Sequence, residues 1–549
     1  MILEYSLDHR SHSGVYEKIF LKSLKEQNLK GKIVKNHFNL KLYVEADTPD
    51  KLEEFATLFA NRLPQSIFLY DTKAQIVEEM PQESNFTELK KLPLPFCIDC
   101  LKSVEDENSK DYYNIFKSCD VCGYGIDGEN RSYKEDIKSI AKDIAENKRV
   151  KVSTFYQDLV IAKLEVLNED IDILAYDLAT ILKVARVQEH QQEALASFEK
   201  PFVKLSLDST FKDKYSLKSP LRFKLPDDLL LYFLMKELSS LGINLVALST
   251  NSDYDTEYKL IEKRKRLTPI ELVTSNKHRA IARGDRWLPL FKLANEVIPQ
   301  IGAFYSVINE HKLEDENIAG VILSKKFTNA ILVHGRKYGT INYLDLTFNY
   351  KTIKDILKDI RDTDETAKKL IRNYKNRYPE LFSKIIKIDI PQDGIFNIYR
   401  LWGVLAVILG YSDSAKDGSI TIEENSMEFL GNRGVRIDYK LKQVDKKAIL
   451  DPLMMIRSAM SFKMAGVDDN TISFGVVESF AEFIDEQFQT LKDTMQVTSF
   501  VFAGSLFENS RLFDKISTEC SINHKIYFNN ELPIDGKSIF YGKKLFYEE

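Results

Sequence analysis

The 549-residue chain has few cysteines, few histidines and no long apolar run. Only five residues are cysteine, a scarcity that fits a reducing compartment better than a disulfide framework. The eight histidines are scattered, with only His9 and His12 close together, so we expect no catalytic metal site. No run approaches the ~18 apolar residues of a membrane span, and no signal-peptide pattern precedes the core. We expect a soluble, cytoplasmic protein without membrane insertion.

The chain also lacks a strong excess of either charge. Its 77 basic and 82 acidic side chains give a net charge of -5 at pH 7, which argues against a dedicated nucleic-acid binder. The basic run at 263–266 has no interleaved aromatic residues, and we interpret it as a solvated helix face. With 44% hydrophobic residues, the length suggests three or four domains.

Four of the five cysteines form two Cys-x-x-Cys pairs, Cys97 with Cys100 and Cys119 with Cys122. Such a pair places two sulfurs about 3.5–4 Å apart, the edge of a sulfur tetrahedron around zinc. The spacing therefore predicts a zinc knuckle, with disulfides or chance as the alternatives. Four thiolate ligands leave no position for water or substrate, so the metal should be structural.

Hydrophobic periodicity predicts an α/β chain of several domains. Residues 1–85 show β-α-β-β-α-β order, with a first strand ending at Gly14 and a helix over Val15–Gln27. Strand-like and helical runs then alternate up to about residue 290, including a helix over 226–241. Beyond it we predict a strand meander, a charged helical tract over 353–374, a helix over 474–491 and a final pair of strands at 498–502 and 525–528.

The residues around the cysteines resemble a known family. Cys97-Ile98-Asp99-Cys100-Leu101, the stretch 108–113, Phe116 and Cys119-x-x-Cys122-Gly123 resemble the first zinc finger of HypF, a carbamoyltransferase that helps to build the cyanide ligands of NiFe hydrogenases. The resemblance implies an acylphosphatase-like, ferredoxin-type sandwich (1–88), a four-cysteine zinc knuckle (89–130), a YrdC-like mixed α/β domain (131–292) and a Kae1-like ASKHA (actin/Hsp70-type) domain (293–549). The second zinc finger of the family is missing, because no cysteine lies between Cys122 and Cys520.

In the N-terminal domain, the family's phosphate loop ends in an arginine that holds an acyl phosphate. The matching stretch starts at Ser13-Gly14 and has Lys18 at the arginine position, with Asn36 near the position of the water-orienting asparagine. Lysine lacks the planar fork of arginine. We therefore expect no acyl-phosphate hydrolysis here.

In the YrdC-like region, the resemblance implies three nucleotide contacts, Lys200, Ser249 and Asn251. Lys200-Pro201-Phe202 matches the family's KP[FL] step, and Ser249 and Asn251 stand in the stretch that replaces its TSGN strand end. The basic residues expected before the lysine are replaced by apolar and small residues at 194–198. Ordinary surface and turn roles are the alternative for all three.

In the Kae1-like region, the metal-binding HHxAH run and the DGxGxG phosphate turn of the family are replaced by 299–303 and 323–328. A bulky basic turn does not let a phosphate approach the backbone as glycine does. The stretch 502–513 resembles the family's SGGVxxNxxL turn, which implies nucleotide contacts from Gly504, Asn509 and, further on, Asp535. The tetrapeptide at 535–538 lacks Walker A spacing.

The retained framework and altered motifs indicate a divergent HypF-like paralogue. We expect an accessory factor with structural zinc that contacts a NiFe hydrogenase subunit or another maturation protein. The alternative is an active carbamoyltransferase that uses carbamoyl phosphate and binds ATP through Lys200, Ser249, Asn251, Gly504, Asn509 and Asp535. RNA modification is less favoured, because the net charge is negative.

Overall fold

The computed structural model describes residues 1–86, 95–125, 127–262, 268–284, 297–337, 339–444 and 447–546. The basic run at 263–266 lies outside these residues. The chain forms two compact units, the first running to Leu272 and the second holding Val273–Arg283 and the described residues from 297 onward. Among the described residues, no helix is both long enough and apolar enough to cross a membrane.

The first unit begins with the predicted β-α-β-β-α-β sandwich. Its sheet has the order β2-β3-β1-β4, and the rings of Phe20, Phe55 and Phe59 pack between helices and sheet. The first strand ends at His9 and not at Gly14, because residues 10–14 form a loop in which Gly14 has a φ of 66°. The elements are β1 Ile2–His9, α1 Val15–Gln27, β2 Lys30–Asn36, β3 Asn39–Glu45, α2 Pro49–Ala60 and β4 Leu69–Val77.

The rest of the first unit is built on a mixed sheet of the order β12-β5-β6-β11-β7-β10-β9-β13, with β8 against β9. The predicted helix at 226–241 begins three residues later, because Asp228 caps it by accepting from the Leu231 N–H at 2.7 Å. The elements are α3 Ile98–Glu105, α4 Lys134–Ala145, β5 Val150–Ser153, β6 Asp158–Ala162, β7 Asp172–Ala175, α5 Leu178–Leu182, β8 Ala185–Arg186, α6 Glu189–Ala196, β9 Phe202–Leu207, α7 Ser209–Tyr215, β10 Leu221–Lys224, α8 Leu229–Ser240, β11 Leu245–Ser249, β12 Thr256–Tyr258 and β13 Glu271–Thr274.

The second unit has a five-stranded sheet of the order β17-β16-β15-β20-β21. Its elements are β14 Arg279–Arg283, α9 Pro299–His311, β15 Ile318–Ile322, β16 Asn329–Gly335, β17 Gly339–Leu346, α10 Ile353–Thr363, α11 Glu365–Arg377, α12 Pro379–Ile385, α13 Ile398–Leu409, α14 Ala415–Glu428, β18 Lys440–Val444, β19 Lys447–Asp451, α15 Pro452–Ala465, α16 Asp469–Met495, β20 Ser499–Ala503, α17 Ser510–Asn523 and β21 Lys525–Phe528, with short 3-10 helices at Ser505–Glu508 and Gly536–Phe546.

Alternation along the central strands gives this sheet two buried faces. Phe500 and Phe502 of β20 belong to a large core with α13 and α16, whereas Val501 and Ala503 belong to a smaller core with α9. The sheet is therefore the middle layer of three. The turns at its strand ends bring two of the candidate nucleotide residues, Gly504 and Asp535, close together.

The charged tract predicted over 353–374 is two helices and not one. Asp364 separates α10 from α11 with an extended backbone, φ -160° and ψ 170°. Its carboxylate caps α11 by accepting from the Ala367 N–H at 2.8 Å and also pairs with Arg457. The periodicity does not show this break, because the apolar stripes of both helices continue across it.

Candidate metal centre and nucleotide clefts

The four predicted cysteine ligands lie together in the first unit. Cys97 precedes α3, Cys100 lies in its first turn, and Cys119 and Cys122 lie on a tight turn. The Sγ atoms of Cys97 are 3.7 Å from Cys100 and 3.9 Å from Cys119, and Cys100 is 3.6 Å from Cys122. A zinc–sulfur bond of about 2.3 Å gives a tetrahedron edge of about 3.8 Å. The cluster could therefore hold a metal ion such as zinc.

The second cysteine turn has the backbone pattern of a metal knuckle. The Gly123 N–H donates to the Cys119 carbonyl at 2.9 Å, and the Tyr124 N–H donates to Cys122 Sγ at 3.4 Å. Gly123 has a φ of 77°, which glycine adopts without strain. Hydrogen bonding among the four thiols lowers the pKa of Cys97 and Cys119 and raises the pKa of Cys100 and Cys122, because the close sulfurs share their protons.

Aromatic residues join the knuckle to α8, a contact that the cysteine spacing does not reveal. Tyr113 stacks on Phe233 with ring centroids 4.1 Å apart and donates to Glu237 at 2.6 Å. The Tyr124 hydroxyl accepts from the Leu229 N–H at 3.0 Å. The cysteine turns are thus held against the first turns of a buried helix.

At the acylphosphatase-like position, a cation is already paired within the fold. Lys35 Nζ donates to Glu17 Oε1 and to the Ser11 carbonyl, both at 3.0 Å, and Glu17 is fully buried. Lys18, at the position of the family arginine, lies half-buried in the first turn of α1, and Asn36 ends β2. The loop before α1 therefore contacts Lys35, whose charge Glu17 neutralises.

The three YrdC-like candidates are not all brought together. Ser249 ends β11, and its Oγ accepts from the Asn251 N–H at 3.3 Å. Lys200 precedes β9, three strands away in the sheet, which corresponds to about 14 Å of strand spacing. Lys200 Nζ donates to the Ala196 carbonyl at 2.8 Å, and burial lowers the pKa of Lys200 to about 8.

In the second unit, Gly504 and Asp535 lie at one site. Asp535 Oδ2 accepts from Ser324 Oγ at 2.8 Å and from the Ser505 N–H at 3.0 Å, just beyond Gly504. Asn509 does not take part in this contact. Its Oδ1 caps α17 by accepting from the N–H groups of residues 511 and 512. The carboxylate thus ties the turn after β15 to the turn after β20.

Sequence reasoning missed the ion-pair partners of Lys325, which lies in the turn after β15. Lys325 Nζ lies 2.9 Å from Glu423 and 3.6 Å from Glu508, and Arg283 pairs with Glu508 at 2.8 Å. Burial alone would lower the pKa of Lys325, but the two carboxylates outweigh it and raise the pKa. The bulky basic residues of this turn were the only sequence signal of a charge cluster. Glu423 and Glu508 gave no such signal, because they are distant from Lys325 in the sequence.

Comparison with known proteins identifies the fold. The chain matches the crystal structure of HypF from T. kodakarensis with a TM-score of 0.69 and 11% identity, covering 99% of this chain and 97% of that one. It matches full-length HypF in its phosphate- and nucleotide-bound form with a TM-score of 0.62 and 15% identity, covering 99% and 98%. The chain has a HypF-like fold.

A curated relative agrees with this HypF-like fold. Over 94% of its length the chain is 24% identical to Protein HydE of Wolinella succinogenes, 96% of which is covered. No family model matches the chain. The predicted resemblance to a divergent HypF-like protein and the predicted multidomain α/β class with a four-cysteine cluster are confirmed.

Proposed function

We propose that this chain is an accessory factor in the maturation of a NiFe hydrogenase and acts through protein contacts. Similarity to HypF and HydE over nearly the whole chain supports the maturation role. The observation that carries the non-catalytic part is the ion pair of Lys325 with Glu423. The partner is a hydrogenase subunit or another maturation protein.

Lys325 lies in the stretch 323–328, which the resemblance matches to the phosphate turn of the family. A nucleotide needs unoccupied backbone N–H groups and a net positive site there. Here the Lys325 N–H already donates to Ser505 Oγ at 3.0 Å, and the Ser505 N–H donates to Asp535. The charges of Lys325 and Arg283 are balanced by Glu423 and Glu508. A triphosphate would meet two carboxylates and no spare cation among these four side chains.

The N-terminal site supports the same proposal. The buried carboxylate of Glu17 pairs with the partly buried Lys35 beside the loop before α1, and Lys18 replaces the bidentate arginine that an acyl phosphate requires. The resemblance implies phosphate contacts at both of these places, and at each a lysine pairs with a glutamate of the same chain.

Zinc is the cofactor that we propose, held by Cys97, Cys100, Cys119 and Cys122 as a structural joint. The predicted boundaries at 88, 130 and 292 and a cytoplasmic location belong to the same proposal. Lys200, Ser249 and Asn251 are then framework residues. Nucleotide contacts by these residues belong to the alternative, an active carbamoyltransferase.

Gene deletion tests the maturation role in a cell that makes this protein and a NiFe hydrogenase. We expect loss of hydrogenase activity and accumulation of unprocessed large subunit, both restored by the wild-type chain. The Lys200→Ala/Asn251→Ala variant should restore activity equally well. Normal hydrogenase activity in the deletion strain would contradict the proposal.

A pull-down with the tagged full chain tests the protein contact. We expect a hydrogenase subunit or a maturation protein to be recovered from hydrogenase-producing cells. Recovery of neither, under conditions in which a tagged HypF recovers its own partner, would count against the proposal.

A further inference from the structure

A groove of about 550 Å³ lies in the first unit between α1 and the knuckle turn. Four of its lining side chains are lysines, Lys18, Lys22 and Lys25 from α1 and Lys117 from the knuckle. Asp99 and Asp120 also line it, so the charged side chains of the lining sum to +2, in a chain with a net charge of -5. The groove is open to solvent along α1, where Lys25 is exposed and Lys18 half-exposed.

The four lysines differ in their ion pairing. Lys22 pairs with Asp99 at 2.6 Å and Lys117 with Asp111 at 2.5 Å. Within the part of the chain that the structure describes, Lys18 and Lys25 have no carboxylate partner. Asp120 lines the groove from the knuckle turn and not from α1. The α1 side of the groove therefore attracts anions.

The free lysines flank an exposed apolar side chain. Leu21 is 43% exposed and shares one face of α1 with Lys18 and Lys25, at helical spacings of three and four residues. At 1.5 Å per residue, the two lysine Cα atoms lie about 10.5 Å apart along the helix axis. Two carboxylates of one extended peptide match this spacing, so each lysine can have a partner of its own with the apolar side chain between them.

An extended peptide places alternate side chains on one face, about 6.6 Å apart. Residues one, three and five then present an acid, an apolar group and an acid over about 13 Å. The lysine Cα atoms are about 10.5 Å apart, and their flexible side chains can spread to meet acids about 13 Å apart. The described lining holds no aromatic ring for stacking nucleobases and only one exposed apolar residue on α1, which disfavours nucleic acid and lipid.

We propose that this groove binds an extended acidic segment of a partner protein, with two carboxylates on Lys18 and Lys25 and an apolar side chain on Leu21. The identity of the partner as a hydrogenase or maturation protein rests on the proposed function. The binding itself does not. The wall formed by residues 117–121 depends on the cysteine turn, so the metal centre shapes the groove.

Fluorescence anisotropy with the full chain tests the binding. The probe is a labelled peptide with the core Glu-Ser-Leu-Ser-Glu, compared with the isomer Glu-Glu-Ser-Leu-Ser and with Lys-Ser-Leu-Ser-Lys. We expect the first peptide to bind best and to weaken as salt rises. Lys18→Glu/Lys25→Glu should lower its affinity at least tenfold, whereas Lys354→Glu/Lys358→Glu, exposed on α10, makes the same charge change and should not.

Three results would overturn the proposed binding site. They are an equal loss of affinity in the two double variants, equal affinity for the isomeric peptide, or no binding at millimolar peptide. Unchanged thermal unfolding of both variants shows that the fold is intact. In the deletion strain, Lys18→Glu/Lys25→Glu should restore less hydrogenase activity than Lys354→Glu/Lys358→Glu. Full restoration by the first variant would refute a role for the groove in maturation, whereas normal activity in the deletion strain itself would refute the proposed function.

Discussion

Gly504 occupies a backbone position that tolerates no side chain. Its φ is 113°, and a Cβ there would lie 2.2 Å from the Leu323 carbonyl oxygen. Gly466 also has a positive φ, 84°, but nothing lies within 4 Å of its would-be Cβ. The pair therefore separates backbone strain from steric overlap.

We predict that Gly504→Ala lowers the free energy of unfolding of the second unit by about 3 kcal/mol or more, because the β15 and β20 turns must separate. Gly466→Ala should cost about 1–2 kcal/mol, the strain of a left-handed residue alone. Urea unfolding of both variants checks this. Equal losses would show that the close approach to Leu323 is relaxed at little cost.

Glu310 is a buried carboxylate whose charge should make stability depend on pH. Its Oε2 accepts from Asn529 Nδ2 at 2.9 Å and from the Asn530 N–H at 3.0 Å, yet burial outweighs these donors and raises the pKa of Glu310 to about 7. Between pH 4.5 and 7 the folded chain therefore holds a proton that the unfolded chain has lost. Stability contributed by this group is present below pH 4.5 and is lost as pH rises to 7.

We predict that Glu310→Gln removes about 3 kcal/mol of this pH-dependent change in unfolding free energy. Unfolding midpoints at pH values from below to above the raised pKa check the difference between variant and wild type. Glu365→Gln, an exposed position on α11, is the control and should leave the pH dependence unchanged. A wild-type slope retained in Glu310→Gln would show that the carboxyl is ionised throughout.

At the scale of elements, the knuckle should depend on its metal. The Tyr113 and Tyr124 contacts with α8 rely on the position of the cysteine turns. We predict about one zinc per chain, and loss of it in Cys119→Ser with destabilisation of the first unit by several kcal/mol. Cys520→Ser, a buried cysteine outside the cluster, should retain zinc. Metal analysis with thermal unfolding checks both, and an unchanged melting temperature in metal-free Cys119→Ser would contradict a structural role.

Elements with one clear periodicity could be predicted from the sequence, and their boundaries less well. Helix α1 has the predicted bounds, because Gly14 and the apolar spacing from Val15 mark its start. The break at Asp364 escaped prediction, since aspartate is common on charged helices and its capping role depends on the local backbone. Strand order in the sheets depends on long-range pairing that periodicity does not encode.

At the scale of the whole molecule, the cysteine cluster was predictable and the clefts were not. The spacing of the two Cys-x-x-Cys pairs is typical of a four-sulfur cluster, so their proximity could be predicted from the sequence alone. The glutamate that pairs with Lys325 is 98 residues distant, and Lys200 and Ser249 are separated by sheet order. Such distances emerge only from the tertiary fold, which is why a motif match at Lys200 was insufficient to define a site.

The central claim is a HypF-like fold without nucleotide chemistry. The most direct test is carbamoyl-phosphate-dependent exchange of labelled pyrophosphate into ATP, measured with the purified, zinc-loaded full chain beside an active HypF. We predict exchange no greater than the background without protein, because Lys325 pairs with Glu423 and Glu508 in the turn that the resemblance matches to the phosphate turn of HypF. Exchange at a rate approaching that of HypF would contradict the account and establish an active carbamoyltransferase.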